Sequence, residues 1–379
     1  MSVANKSGKL LLVAHISDRC NFQCAYCYSH KSKKSMSGKT INTLAKFAKS
    51  LIKSNFCQSI VLAVEGGEPT LDISGLQNLV MSARKRGINE FIVCTNGSNL
   101  SKKTIDFLAL NKIYPFISFE SKKSFIKNRA SRNSQKAGAI WHKINDSLNL
   151  FLPYLSNYNQ DEIDDFDVIR GRVTITPSTI KYLTDSVEHL YKSPLGNKIL
   201  ITLMPAMSEG LDKEWRVFAE NKKAIAILEN EFKKIAELYL RGIKNKKPLN
   251  FCLNECLSLD FTDLSEARGL KEVPFCGAGN NLIGTDMDGN LFPCYLLAAR
   301  PSGFREKFRI GDVFNGFSAG QEKITSDFCG KKQNKCFSCL YWNRIANNNP
   351  DKPAMAYVLL YKAWKKAVLF VKTKQKAHS

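Results

Sequence analysis

Cys20-Asn21-Phe22-Gln23-Cys24-Ala25-Tyr26-Cys27 follows closely on the apolar run Leu11-Leu12-Val13-Ala14-His15-Ile16. The apolar run reads as a strand. A strand that empties into cysteines spaced C-x3-C-x2-C presents thiolates at the mouth of an α/β fold. Three thiolates are one short of the closed tetrahedral set of structural zinc, whereas catalytic zinc and iron–sulfur sites can leave a position open. The spacing points to a [4Fe–4S] cluster on Cys20, Cys24 and Cys27 with one iron open to a further ligand. A zinc knuckle, or three structural thiols, is the plainer alternative.

The chain around this loop has 379 residues and is 44% hydrophobic, enough for one large α/β domain and a smaller one. It has no run of 18 uncharged apolar residues and no signal-peptide pattern, so a cytoplasmic protein that crosses no membrane is expected. In such a chain, 12 cysteines at C-x3-C-x2-C and C-x2-C spacings favour metal over disulfides. The net charge of +22, from 56 Lys and Arg against 34 Asp and Glu, fits either a solvated basic surface or an acidic peptide or nucleic-acid partner.

Beyond the loop, apolar spacing at Ile41, Leu44, Ala45, Ala48, Leu51 and Ile52 predicts a helix over Ser37 to Lys53. Ser59 to Val64 is an apolar strand of the kind buried on both faces. Strands over Glu90–Cys94, Tyr114–Phe119, Arg172–Thr176 and Lys198–Met204 alternate with helices over Leu76–Arg86, Ser101–Asn111, Gly138–Leu152 and Ser178–Tyr191. Six such alternations predict a parallel sheet, taken as a partial (β/α)6 TIM-like barrel with its chemistry at the C-terminal strand ends. Lys213 to Arg241 reads as one long charged helix. Leu282 to Pro293 reads as a β-hairpin turning on Asp288-Gly289, and Met355 to Lys372 as a closing helix. The expected division is a core over 1–210, bridging helices over 211–270, a small cysteine-bearing domain over 271–345 and a C-terminal helix over 346–379.

The second strand ends in Gly66-Gly67-Glu68-Pro69. The glycines allow close approach to bare backbone, Glu68 can pair with an ammonium, and Tyr26 offers an aromatic face to a bound base. Together, C-x3-C-x-aromatic-C after the first strand and Gly-Gly-Glu-Pro after the second resemble the radical S-adenosylmethionine (SAM) enzymes. The resemblance implies a [4Fe–4S] cluster on Cys20, Cys24 and Cys27, with SAM chelating the open iron through its amino and carboxylate groups. It implies that Gly66, Gly67 and Glu68 meet the methionine ammonium and that Ser118 lies near SAM. Arg132 matches an arginine that meets the SAM carboxylate, with Arg129 equally placed by count. Relatives often carry Asp where this chain has Glu120.

Cys276, Cys294, Cys336 and Cys339 supply four more thiolates, enough for a zinc ribbon or a closed cluster. After a radical SAM core, this pattern resembles the C-terminal SPASM and Twitch extensions, which carry auxiliary [4Fe–4S] clusters around a β-hairpin. The stretch from Phe308 to Val313 also resembles them. A full SPASM domain continues with further cysteines that this chain lacks, leaving one auxiliary cluster in the Twitch manner. Cys329 is a fifth cysteine able to replace one of the four.

Cys57 and Cys94 read as buried small hydrophobes, and Cys252 and Cys256 as packing or as a thiol that gives hydrogen to a radical. Trp141, Trp215, Trp342 and Trp364 read as core, and the five histidines show no ligand spacing. The resemblance implies a radical SAM peptide or protein maturase that crosslinks, epimerises or oxidises its substrate. Its expected partners are a peptide or protein substrate, for example an acidic precursor peptide, and a one-electron reductant such as flavodoxin or ferredoxin. A small-molecule Twitch-type dehydrogenase and, from another class, a zinc-bearing basic nucleic-acid-binding protein are the alternatives.

Overall fold

The computed structural model describes residues 8–129, 134–158, 169–206, 211–247, 249, 251–252, 278–279, 281–299, 304–329 and 355–376. Its strands are β1 (Lys9–Ser17), β2 (Ser59–Gly66), β3 (Glu90–Thr95), β4 (Ile113–Ser118), β5 (Arg170–Ile175), β6 (Leu200–Pro205), β7 (Phe251–Cys252), β8 (Leu282–Thr285), β9 (Asn290–Phe292), β10 (Gly311–Asp312) and β11 (Gly316–Phe317). Its helices are α1 (Gly38–Lys53), α2 (Ile73–Arg84), α3 (Lys102–Leu110), α4 (Lys122–Arg129), α5 (Ser134–Ser147), α6 (Leu183–Tyr191), α7 (Leu211–Glu220), α8 (Lys222–Lys244), α9 (Tyr295–Ala298), α10 (Gln321–Cys329) and α11 (Met355–Lys376). The six expected strand–helix alternations are present, and the chain groups into two compact units.

The first unit comprises Met1–Asn21, Tyr28–Phe116 and Leu270–Cys336. Its strand order is β11-β10-β9-β8-β1-β2-β3. β1 runs parallel to β2, with Leu11 beside Val61, and β2 runs parallel to β3, with Val61 beside Glu90. Both faces of β1 are covered, which explains its unbroken apolar run. α1 begins where Ser37 accepts the Thr40 amide at 3.1 Å, and it buries Leu44, Ala45, Ala48 and Leu51. α2 starts earlier than its apolar spacing suggests, because Asp72 caps it through the Gly75 amide at 3.2 Å.

The expected hairpin forms from β8 and β9. Asp286 Oδ1 accepts the amides of Asp288 at 3.0 Å and Asn290 at 2.9 Å, and Gly289 takes φ +87°, a conformation that favours glycine. The hairpin also joins the core sheet: β8 lies parallel to β1, with Leu11 beside Leu282. β1 would otherwise leave one row of backbone groups unpaired along an apolar edge. Pairing across such a sequence distance has no signature in local periodicity.

The second unit comprises Phe22–Cys27, Ile117–Gly269 and Phe337–Ser379. Here β5, β6 and β7 are parallel, with Arg172 beside Thr202 and Thr202 beside Cys252. The long helix expected over Lys213 to Arg241 is two helices. Asn221 leaves the helical conformation and caps α8, its Oδ1 accepting the amides of Lys223 at 3.0 Å and Ala224 at 3.1 Å. The helix expected to run to Leu152 instead gives way after Ser147 to 3-10 turns over Leu148–Asn157, which accommodate Pro153. α11 packs on α8 with Trp364 edge-on to Phe232 at 5.7 Å, and Trp215 is fully buried. α4 has no counterpart in the periodicity, because Phe125 and Ile126 are its only apolar residues.

Candidate metal centre

The division between the units runs through the cysteine motif: Cys20 belongs to the first, and Cys24 and Cys27 to the second. All three are half-buried.

In the first unit, the register of β1 on β2 steps from His15 beside Glu65 to Ser17 beside Gly66, and the chain leaves the sheet towards Cys20. Gly67 N donates to Ser17 O at 2.6 Å and Glu68 N to Arg19 O at 2.7 Å. A Cβ on Gly66 would lie 2.4 Å from Ser17 O, and one on Gly67 would lie 2.4 Å from Arg19 O. The backbone of Ser17 to Arg19 thus lies close against these glycines and clamps the entry to the cysteine loop. Asp18 is pinned on the same stretch, its Oδ1 2.9 Å from His15 Nε2 and its Oδ2 accepting from Ser32 Oγ at 2.8 Å. Burial raises the Asp18 carboxyl, but the bonds from His15 and Ser32 outweigh it and hold the group below its usual range.

Glu68 is fully buried. Its Oε1 accepts from Thr70 N at 3.1 Å, Thr70 Oγ1 at 2.6 Å and Thr95 Oγ1 at 2.7 Å, and its Oε2 accepts from Asn96 N at 2.6 Å. An ammonium sent to this residue would meet a buried carboxylate already accepting four hydrogen bonds. These bonds tie the end of β2 to the end of β3. Burial pushes the Glu68 carboxyl up against the pull of those donors.

Asn96 was legible only as part of a strand end, Thr95-Asn96-Gly97. Its Nδ2 donates to Asn21 Oδ1 at 3.0 Å and lies 3.9 Å from Cys20 Sγ, while Asn21 Nδ2 donates to Ser98 Oγ at 2.8 Å. Cys94, expected as a buried hydrophobe, is half-buried and its thiol donates to Glu65 Oε1 at 3.1 Å.

In the second unit, the loop rests on α4. Phe22 is buried edge-on to Phe125 at 5.8 Å, Ala25 N donates to Asn128 O at 3.1 Å, and Cys27 N closes a turn on Cys24 O at 3.1 Å. The Arg129 guanidinium lies 5.5 Å from the centre of the Tyr26 ring. Arg129 Nε sits 3.0 Å from both oxygens of Glu120, and its Nη2 donates to Thr174 Oγ1 at 3.0 Å. Both ends of this pair are buried, at 3% and 0% exposure. The Glu120 carbonyl accepts from Trp141 Nε1 at 2.9 Å, and Asn128 Nδ2 donates to Thr174 O at 2.9 Å.

Burial opposes the charge of Arg129, but Glu120, Tyr26 and Cys24 outweigh it and hold the guanidinium firmly protonated. Burial likewise pushes the Glu120 carboxyl and the Tyr26 phenol up, against the pull of Arg129. Of the two arginines placed by count, Arg129 lies against the loop, and Arg132 falls outside the described residues.

Ser118 ends β4 and is half-buried. Of the second cysteine set, Cys294 is buried at the start of α9, and Cys276, Cys336 and Cys339 fall outside the described residues, as do Cys256 and Trp342. Cys252 is in β7 and Cys329 ends α10. Cys57 is buried, and burial pushes its thiol up to about 11, as for a packing residue. Trp141, Trp215 and Trp364 are buried, as expected of core. Among the described residues, no three Cys, His, Asp or Glu side chains converge on a point one metal ion could fill. Thiolates on a cubane cluster each take a different iron and need no such point. The donor set fits that cluster: three soft ligands, with the positive charge of Arg129 acting on Cys24. No helix among the described residues is long and apolar enough to cross a membrane.

Residues 7–139 match the family model described as a 4Fe-4S single cluster domain. A stretch of 122 residues, 29% of the chain, is 28% identical to the S-adenosylmethionine-dependent nucleotide dehydratase of Psychrobacter lutiphocae and spans 39% of that relative's length. Among solved structures, anSMEcpe with bound AdoMet and Cp18Cys peptide is similar with a TM-score of 0.65, over 97% of this chain and 99% of that one, at 15% identity. Streptococcus suis SuiB bound to precursor peptide SuiA is similar with a TM-score of 0.54, over 92% and 76%, at 16% identity. These likenesses show the fold, an α/β partial barrel with a C-terminal extension. Cysteine motif, family match and fold point the same way: residues 7–139 match a 4Fe-4S single cluster domain, and the fold is like that of solved structures that hold AdoMet.

Proposed function

We propose that the chain is a peptide or protein maturase that begins its reaction by hydrogen abstraction and ends in a crosslink, an epimerisation or an oxidation. Cys20, Cys24 and Cys27 hold the [4Fe–4S] cluster, with SAM on its open iron. The observation that carries this reading is the likeness, over nearly the whole chain, to a structure that holds both AdoMet and a peptide. When bound, the cluster supplies the electron that cleaves SAM to a 5′-deoxyadenosyl radical, chemistry that belongs to the cofactor. The chain's own residues position it. Gly66 and Gly67 fix the entry to the loop, Glu68 and Asn96 brace the strand ends beside Cys20, and Glu120 with Arg129 braces the Cys24–Cys27 turn. Tyr26, Ser118 and Arg132 complete the surroundings of SAM on this reading.

A second [4Fe–4S] cluster is assigned to Cys276, Cys294, Cys336 and Cys339. With four protein ligands it is closed to substrate and suited to electron transfer. The net charge of +22 suits an acidic precursor peptide as substrate and an acidic flavodoxin or ferredoxin as reductant. A nucleotide substrate is the second reading, favoured by the dehydratase relative and by the same charge. Anaerobic, iron-loaded protein given SAM, dithionite and either an acidic peptide panel or a nucleotide panel separates the two. A mass change in a peptide, with 5′-deoxyadenosine formed alongside, is expected. A product from a nucleotide and none from any peptide would favour the second reading.

A further inference from the structure

We propose that the buried Glu120–Arg129 pair is a positioning device that sets the charge felt by the cysteine loop, and through it the potential of the cluster. The proposal rests on the reading that Cys20, Cys24 and Cys27 hold that cluster. Arg129 is fixed on three sides: both Glu120 oxygens at 3.0 Å from Nε, Thr174 Oγ1 at 3.0 Å from Nη2, and the Tyr26 ring at 5.5 Å from the guanidinium. The neighbouring residue, Asn128, holds the loop backbone through Ala25 N at 3.1 Å and is itself anchored on Thr174 O at 2.9 Å. Arg129 therefore cannot swing away from the turn that carries Cys24 and Cys27, and Glu120 sets how much of its charge is left uncompensated.

Such an arrangement makes a specific demand. Adding an electron makes the cluster more negative, so a nearby positive charge stabilises the reduced form and raises the midpoint potential. Removing Glu120's charge should release more of Arg129's field, and removing Arg129 should leave a negative charge in its place. A residue that only packed against the loop would give shifts unrelated to charge sign. A residue that only bound SAM would leave the SAM-free cluster untouched.

The test is an EPR-monitored redox titration of the full-length, iron-loaded protein without SAM, comparing wild type, Glu120→Gln, Arg129→Gln and the double variant. Glu120→Gln is expected to raise the midpoint potential and Arg129→Gln to lower it, with the double variant between the two. If Arg129→Gln does not fold, Glu120→Gln and the double variant, which removes the pair together, still decide the sign. Shifts all in one direction, or none in any variant, overturn the proposal while leaving the wild-type cluster in place. A wild-type protein that takes up no cluster overturns it together with the function it rests on.

Discussion

The two sides of the cysteine motif are braced by two buried glutamates in opposite ways. Beside Cys20, Glu68 is satisfied by neutral donors, two threonine hydroxyls and two backbone amides. Beside Cys24 and Cys27, Glu120 is satisfied chiefly by a charge, the Arg129 guanidinium. Both carboxyls are fully buried and both are pushed up by that burial. The difference lies in what each leaves behind when it is altered. Hydrogen bonds to neutral donors are local, whereas an ion pair projects a field that depends on both partners. One brace fixes geometry, and the other fixes geometry and charge.

Breaking the charged brace should have the largest effect. Arg129→Ala leaves Glu120 buried without its cation and is expected to cost about 3–5 kcal/mol in urea unfolding. A double change to Gln and Met should cost clearly less, and an equal cost would erase the distinction between the braces. Next in size is Gly67→Ala, whose Cβ would lie 2.4 Å from Arg19 O and 2.6 Å from Asp18 O. A loss of roughly 2–3 kcal/mol is expected, with less iron retained after anaerobic loading. Unchanged stability and iron would mean that the glycine clamp does not set the loop.

Glu68→Gln replaces one acceptor oxygen by an amide that cannot accept, and a loss of roughly 1–3 kcal/mol in thermal unfolding is expected. Its effect on the cluster potential should be small beside that of Glu120→Gln. A larger shift at Glu68 would reverse the comparison.

A control lies outside both braces. Asp312 accepts from Phe314 N at 2.9 Å and Asn315 N at 2.8 Å in the turn between β10 and β11. Burial raises its carboxyl, but bonds from Asn315 and Phe314 outweigh it and hold the group below 3.8. A depressed folded value means that the unfolded chain binds more protons in that window, so stability there rises with pH. The contribution is present above 3.8 and is lost as pH falls through the lower folded value. Asp312→Asn should cost on the order of 0.5–1 kcal/mol at neutral pH, with the difference shrinking in acid, while both braces stay intact.

Local periodicity made most of the alternating strands and helices legible, because their apolar faces repeat over many residues. The cysteine motif and the Gly-Gly-Glu-Pro turn were legible because their chemistry depends on residue type and spacing. What stayed hidden depends on partners far off in sequence. β8 beside β1 is one case, since an edge in need of a neighbour does not name it. α4 is another, too short and polar to show an apolar stripe, yet it carries Asn128 and Arg129. The four donors to Glu68, from Thr70, Thr95 and Asn96, stayed hidden because they meet it only once β2 and β3 are side by side. The break at Asn221 could have been found: an asparagine capable of capping sits between two charged helical stretches.

The central claim is that the incomplete thiolate set at Cys20, Cys24 and Cys27 is the centre that cleaves SAM. The most direct measurement is 5′-deoxyadenosine formed from SAM and dithionite by the anaerobic, iron-loaded protein, beside a variant with all three cysteines changed to Ala. Formation by the wild type and none by the variant is the predicted result. Equal formation by both, or none by a wild type that holds iron and sulfide, would contradict it.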